Sequence, residues 1–286
     1  MTLIILLLGL ALETFHDVFV KYRRFDWLIH VLHWLEKRLS RYRFWDGVPG
    51  VLLTLAGPLI VLLVIDYGLN ELLVLLDFLF VTAVLVYSLG PDNLNTQLDE
   101  YVHACETGES GQVRKLAADI IGTENQDDDN QERVLLEVVL IRAHQRIFAI
   151  VFWFIVLGAF GALLYRLVAE LMAEFEEIHG GYADAIRELY LILSWPSARL
   201  LALGFALSGS LVHALEGWGT TEASSLDVND TVIQATGLGA IQYEPQSAVA
   251  EEEAGYWIRE VKGLINRSLI VWLTVLGIMT LAGWLA

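Results

Sequence analysis

The sequence predicts an all-α fold, a polytopic bundle of membrane helices with a cytoplasmic helical hairpin, and three observations predict it. Of the 286 residues, 56% are apolar and 19% charged, against about a quarter charged in soluble proteins. Residues 48–65, 147–165 and 268–286 each run 18 or 19 residues without a charge, close to the ~20 that a hydrocarbon layer of ~30 Å requires. Basic residues gather in one place: segment 21–47 holds seven against three acids, +4 within a chain of −17. So many apolar blocks cannot all be buried in a soluble chain of this size. The lipid bilayer is therefore the first partner implied. The acidic balance excludes nucleic acid, and the single Cys105 excludes an intrachain disulfide or a Cys-based zinc cluster.

Residues 2–12 are uninterruptedly apolar, and the pattern reaches Val20 if Glu13, His16 and Asp17 are tolerated. With no basic flank and no small-residue cleavage pattern, this reads as an uncleaved first helix rather than a signal peptide. Segment 21–47 follows, with Trp27, Trp34 and Trp45 for the headgroup layer and apolar positions 27, 28, 31, 32 and 35 on one helical face. It reads as an amphipathic interfacial helix, cytoplasmic by the positive-inside rule. After the 48–65 span, residues 72–90 read as another, with Asp77 alone inside it and Gly90-Pro91 ending it.

Residues 91–146 turn polar, with five basic and twelve acidic residues. Asn93 can cap a helix to about Glu106, Thr107–Gly111 makes a turn, and a second helix runs to Ile121-Gly122. This hairpin forms a cytoplasmic insertion within a single membrane domain, 1–286. Asp127–Asp129 reads as a solvated loop, and a helix from about Gln131 leads into the 147–165 span. Gly158 and Gly161 within that span allow close helix packing or a break. A break would make the segment re-entrant and leave residues 166–195 cytoplasmic. Residues 189–215 carry one charge, Arg199, and read as a further crossing or as a helix lying along the bundle. A second polar stretch, 217–267, leads into the last span.

No motif in the chain names a reaction. Walker A, His-Glu-x-x-His and Gly-x-Ser-x-Gly are absent, and neither a metal site nor a cofactor is expected. The residues that stand out are polar ones in apolar surroundings. Glu13 and Asp17 lie one turn apart, and a carboxylate in hydrocarbon needs a partner. Arg142, His144 and Arg146 at the start of the 147–165 span, with Arg199, supply cations. Gly237-Leu-Gly239 is too short to stand alone as a phosphate loop and reads as a turn, or as part of a binding pocket. Together these eight residues make a candidate ligand-binding pocket on the cytoplasmic side, suited to an anionic small molecule.

In order along the chain come an acid at position 13, GESGQVRKLAADIIG at 108–122, Phe152-Trp153 followed by Leu157-Gly158-x-x-Gly161-Ala-Leu-x-Tyr165-Arg166, Pro196-Ser-Ala-Arg-Leu, and Ala235-Thr-Gly-Leu-Gly-Ala. This succession resembles the superfamily of the cobalamin-pathway membrane proteins CobD/CbiB and AmpE, over nearly the whole length. The opening Met-Thr-Leu and the size look closer to the AmpE family. That resemblance implies an inner-membrane regulatory or signalling protein linked to β-lactamase induction and cell-wall stress in Gram-negative bacteria.

CobD/CbiB proteins attach aminopropanol or its phosphate to a corrinoid carboxylate, and two of their polar stretches are replaced here. An acid- and Asn-bearing stretch ahead of Phe-Trp becomes Ile141, Arg142, Ala143, His144 and Gln145. Their Asn-Thr-Leu-Asp becomes Ala169, Glu170, Leu171 and Met172. The expectation is a retained anion pocket without ligase chemistry, with a protein partner or a second copy as a further associate. Two other classes stay open: a divergent amide ligase of cobalamin biosynthesis, and a transporter coupled to ions through Asp77 and Glu13.

Overall fold

The computed structural model describes residues 2–15, 25–42, 44–72, 74–90, 94–122, 131–175, 177–221, 225–245 and 255–283. All regular structure among them is helical: α1 (Thr2–Phe15), α2 (Asp26–Leu39), α3 (Val48–Leu72), α4 (Val74–Ser88), α5 (Leu94–Glu106), α6 (Ser110–Ile121), α7 (Gln131–Ala143), α8 (Ala149–Glu174), α9 (Gly181–Ser208), α10 (Leu211–Gly219), α11 (Asn229–Ala240) and α12 (Tyr256–Leu281). One π-helical turn, His144–Phe148, joins α7 to α8. Residues long and apolar enough to cross a membrane occur in Val48–Leu69, Gln131–Glu174, Gly181–Ser208 and Tyr256–Leu281. The lipid-facing character shows in large side chains left bare: Val61 is 58% exposed, Ile278 62% and Leu281 91%.

The spans differ from the sequence expectation in two places. The 72–90 block forms a 15-residue helix, about 22 Å long and short of the hydrocarbon thickness. Asp77 lies in its first turn, half-buried, where a negative charge suits the helix N-terminus. The 189–215 block is divided: residues 189–208 form the later part of the 28-residue α9, and Leu211 opens a separate helix, α10.

The chain divides into two compact units. The first holds Met1–Asp92, Gln145–Ser194 and Thr280–Ala286. Its core is α4, packed against α1, α3 and α8, with α2 lying on α3. The break allowed for in 147–165 is present: Gly158 inside α8 sits at φ 64°, ψ −151°, a region that only glycine enters at low cost. Residues 153 and 161 would be about 12 Å apart along a straight helix. Instead, a Cβ on Gly161 would overlap the Trp153 carbonyl and stand 2.7 Å from the Leu157 Cβ. The chain therefore reverses at Gly158, as a re-entrant segment does. The arms are tied to α9, where the Trp153 indole donates to the Leu193 carbonyl at 2.9 Å and Tyr165 and Ser194 hydroxyls meet at 3.3 Å. Leu193 is in the turn before Pro196, whose missing N–H interrupts the helical ladder. The start of α9 is held from a distance: the Tyr182 N–H donates to Asp46 Oδ1 at 2.9 Å, and its hydroxyl to Thr54 at 2.9 Å. The Asp46 carboxylate thus sits at a helix N-terminus, where the macrodipole favours it.

The second unit holds Asn93–His144 and Trp195–Met279. The expected hairpin is α5 and α6, joined through Gly108 at φ 72°. Gly122, at φ 86°, caps α6 and donates its N–H to the Ala118 carbonyl at 2.7 Å, a left-handed terminus of the expected kind. Surface ion pairs, Lys262 with Asp99 and Arg259 with Glu106 at 3.0 Å, link α12 to α5, each worth at most about 1 kcal/mol at such exposure. The tightest packing is between α10 and α11. A Cβ on Gly217 would overlap the Ala235 carbonyl, and one on Gly239 would overlap the His213 carbonyl.

Gly158→Ala should destabilise the protein by about 1–3 kcal/mol, and Gly161→Val should cost more because it drives the arms apart. Thermal unfolding of the detergent-solubilised protein, followed by circular dichroism, should show both midpoints lowered in that order.

Candidate functional site

The second unit carries a buried polar cluster that includes residues singled out from the sequence. It is built on three elements: the π turn after α7, α9 beyond Pro196, and the first turn of α11. His144 is fully buried, and its Nε2 lies 2.8 Å from the equally buried Ser197 Oγ. Two residues further along α9, Arg199 is 9% exposed. Its Nη1 donates to Asn229 Oδ1 and its Nη2 to the Ser225 carbonyl at 2.8 Å. The guanidinium lies 5.1 Å from the centroid of the Trp195 ring, one turn back on the same helix, as a cation–π pair requires.

The local sequence explains why these groups meet. Trp195 and Arg199 stand at i, i+4 on α9 and share a face. Asn229 opens α11, and its position depends on the α10–α11 seam. That seam closes only because Gly209, Gly217 and Gly239 carry no side chain towards the facing backbone. Gly237 plays a similar part on the other side of α11, where a Cβ would stand 2.7 Å from a methyl of Leu140 in α7. Gly237 and Gly239 are therefore used in helix packing, which holds the cluster together from behind.

The eight residues singled out do not all come together. His144 and Arg199 share the cluster. Arg142 is half-buried and makes no hydrogen bond or ion pair to a described residue. Arg146 is 8% exposed and belongs to the first unit, as does Glu13. Glu13 falls in the last turn of α1, while its side chain and all of Asp17 lie outside the described residues. Ser197 and Asn229 were not singled out. Ser197 was legible as part of Pro196-Ser-Ala-Arg-Leu, whereas nothing marks Asn229 in the sequence.

A second buried charge sits in the first unit. Arg166 pairs with Glu170 one turn along α8 and lies 5.3 Å from the centroid of the Phe25 ring. Gly90, at φ 82°, packs against the same guanidinium, where a Cβ would stand 2.6 Å from a terminal nitrogen. Glu170 is the one acid in the stretch Ala169–Met172, and its carboxylate is committed to this pair.

Next to Asn229, burial raises the Asp230 carboxyl above its ordinary value. On a rising pH scale the unfolded chain gives up this proton first, near pH 4. Between there and the raised folded value the native state holds more protons, so stability falls as pH rises. Unfolding midpoints measured from pH 4 upward should show that fall, and Asp230→Asn should flatten it. Arg199→Ala should lower stability at every pH, by about 1.5–3 kcal/mol for each charged hydrogen bond lost, and should move the midpoint down accordingly.

Residues 6–244 match the model of the family described as CobD/Cbib protein. Among curated proteins, the chain is 30% identical over 174 residues to the cobalamin biosynthesis protein CobD of Chromobacterium violaceum, covering 58% of this chain and 55% of that protein. It is 34% identical over 139 residues to the protein of the same name from Stutzerimonas stutzeri, covering 46% and 45%. The chain thus matches about half the length of these curated relatives. No solved structure matches. These relatives support the ligase alternative better than the AmpE reading. With the apolar helices of spanning length, they place the chain in the bacterial inner membrane as a multi-pass protein.

Proposed function

Because the chain belongs to the CobD/CbiB family, we propose that it serves the chemistry of that family as a divergent amide ligase of cobalamin biosynthesis, joining an amine to a carboxylate of a large anionic substrate. The match over residues 6–244 carries this reading. Its geometric support is Arg199, whose planar fork is oriented by Asn229, the Ser225 carbonyl and the Trp195 face. A guanidinium fixed in this way suits bidentate recognition of carboxylate or phosphate. The role assigned to Arg199 is to hold the anionic substrate, with Asn229 as its positioning residue.

One observation favours a second reading. The stretch Ile141–Gln145 stands where ligases of this family carry acid and amide groups, and here His144 is fully buried against Ser197. A side chain committed to the interior is poorly placed to touch a substrate. On this reading the chain keeps the family scaffold and an anion site but acts as an AmpE-type regulator, in which ligand occupancy biases the helices carrying the α5–α6 hairpin.

Complementation separates the two. In a bacterial strain lacking its own CobD/CbiB, the full chain should restore growth that depends on endogenous cobalamin. Arg199→Gln should abolish the rescue, and Arg199→Lys should leave it about tenfold weaker, because a point charge replaces the fork. No rescue by the wild-type chain, together with altered β-lactamase induction on deletion from its own host, would overturn the ligase reading in favour of the regulatory one.

A further inference from the structure

The first unit contains a groove of about 720 Å³ formed by α2, α3, α4 and α8. Trp27 and Val31 of α2 roof it, Gly57, Pro58 and Leu62 of α3 and Val84 of α4 line its length, and apart from one end its surface is apolar. At that end the Trp27 indole donates to the Tyr87 hydroxyl at 2.7 Å. A volume of this order suits a ligand of drug or single-chain size. Two of the lining elements, α2 and α3, differ in kind. α3 is a spanning helix, whereas α2 is amphipathic, burying Leu28 and Leu32 and exposing Lys37 and Arg38 in its last turn. Arg41 follows, also exposed, and the Arg38 guanidinium lies 4.4 Å from the Trp34 ring centroid.

We propose that this groove holds one acyl chain of an anionic phospholipid, with the headgroup on the basic end of α2. Lipid tails are as apolar as the groove, so an acyl chain moving from bilayer to groove gains little from hydrophobicity. Selectivity must then come from the headgroup. Lys37, Arg38 and Arg41 provide it, since basic residues at a membrane surface attract anionic lipid. Lys37 is six residues beyond Val31, about 9 Å along the helix axis, within reach of the headgroup of a lipid whose chain passes Val31. The groove therefore takes its occupant from the membrane by charge, and holds it by shape. Α2 serves as the lid, and its aromatic and basic residues fix the depth of the lipid.

The test uses the full chain purified in mild detergent, with bound lipid counted by native mass spectrometry after reloading with phosphatidylglycerol or phosphatidylcholine. Gly57→Leu fills the groove, because a Cβ there meets nothing within 4 Å. Gly68→Leu on the same helix is equally open but lies outside the groove, and serves as the control. Wild type and Gly68→Leu should retain one phospholipid, with phosphatidylglycerol preferred at least about fivefold. Gly57→Leu should lose that retention while keeping its circular dichroism and elution volume. Should it misfold, Ala83→Leu fills the groove from α4 instead. The combined Lys37→Gln, Arg38→Gln and Arg41→Gln variant should keep the lipid and lose the preference. Equal retention in the filled and wild-type proteins, or no headgroup preference in wild type, would overturn the proposal. A change in oligomeric state on filling would overturn it as well, by assigning the groove to a second copy.

Discussion

Hydrocarbon gives a peptide group no hydrogen-bonding partner, and the first unit holds a place, Gly158, where the backbone leaves helical geometry inside an apolar segment. Gly158 breaks α8, and the chain turns back so tightly that Gly161 faces the Trp153 carbonyl. Such a break is tolerated in a membrane only where protein covers it. Cover on the two arms is uneven: Phe154, Ala159 and Gly161 are buried, whereas Val156 and Leu157 at the break stand 53% and 46% exposed. α3 and α4 pack on α8, and α9 accepts the Trp153 indole through the Leu193 carbonyl.

The second unit solves a different problem, the placement of a buried guanidinium. Arg199 needs oxygen acceptors that a helix face cannot supply by itself. Asn229 and the Ser225 carbonyl come from the segment opening α11, and α11 reaches them only because its glycines let it lie against α10 and α7. The polar site and the small-residue seam are one construction. A methyl group on the seam would act on Arg199 without touching it.

The fold was readable where hydropathy and charge change together. The 48–65 span appears inside α3 and residues 268–281 of the last span inside α12, and the expected turn falls at Thr107–Glu109 between α5 and α6. α9 is hard to read from sequence because Asp184, Arg187 and Glu188 crowd its first turns, disguising the start of a helix that becomes apolar later. The 72–90 block was read as a span because Leu72 and Leu73 hide where α4 begins, which moved Asp77 from the middle of a helix to its first turn. Half of the candidate cluster was legible in the same sense. Arg199 and His144 stood out as polar groups in apolar sequence, but their partners Ser197 and Asn229 are ordinary residues whose role comes from tertiary packing. No periodicity announces the π turn at His144–Phe148, so Arg142, His144 and Arg146 read as one cluster although they end in different surroundings.

The glycine seam also sets how substitutions are tolerated along the chain. In most globular proteins the greasiest positions are the strictest and the surface is forgiving. Here large apolar side chains such as Leu207 and Leu281 are 68% and 91% exposed towards lipid, where one hydrocarbon group replaces another at little cost. The strict positions are those without a side chain: Gly209, Gly217 and Gly239, each facing a backbone carbonyl. A mutational map of this protein would run against its hydropathy plot in these places, with lipid-facing apolar positions permissive and the glycines of the α10–α11 seam almost closed to change.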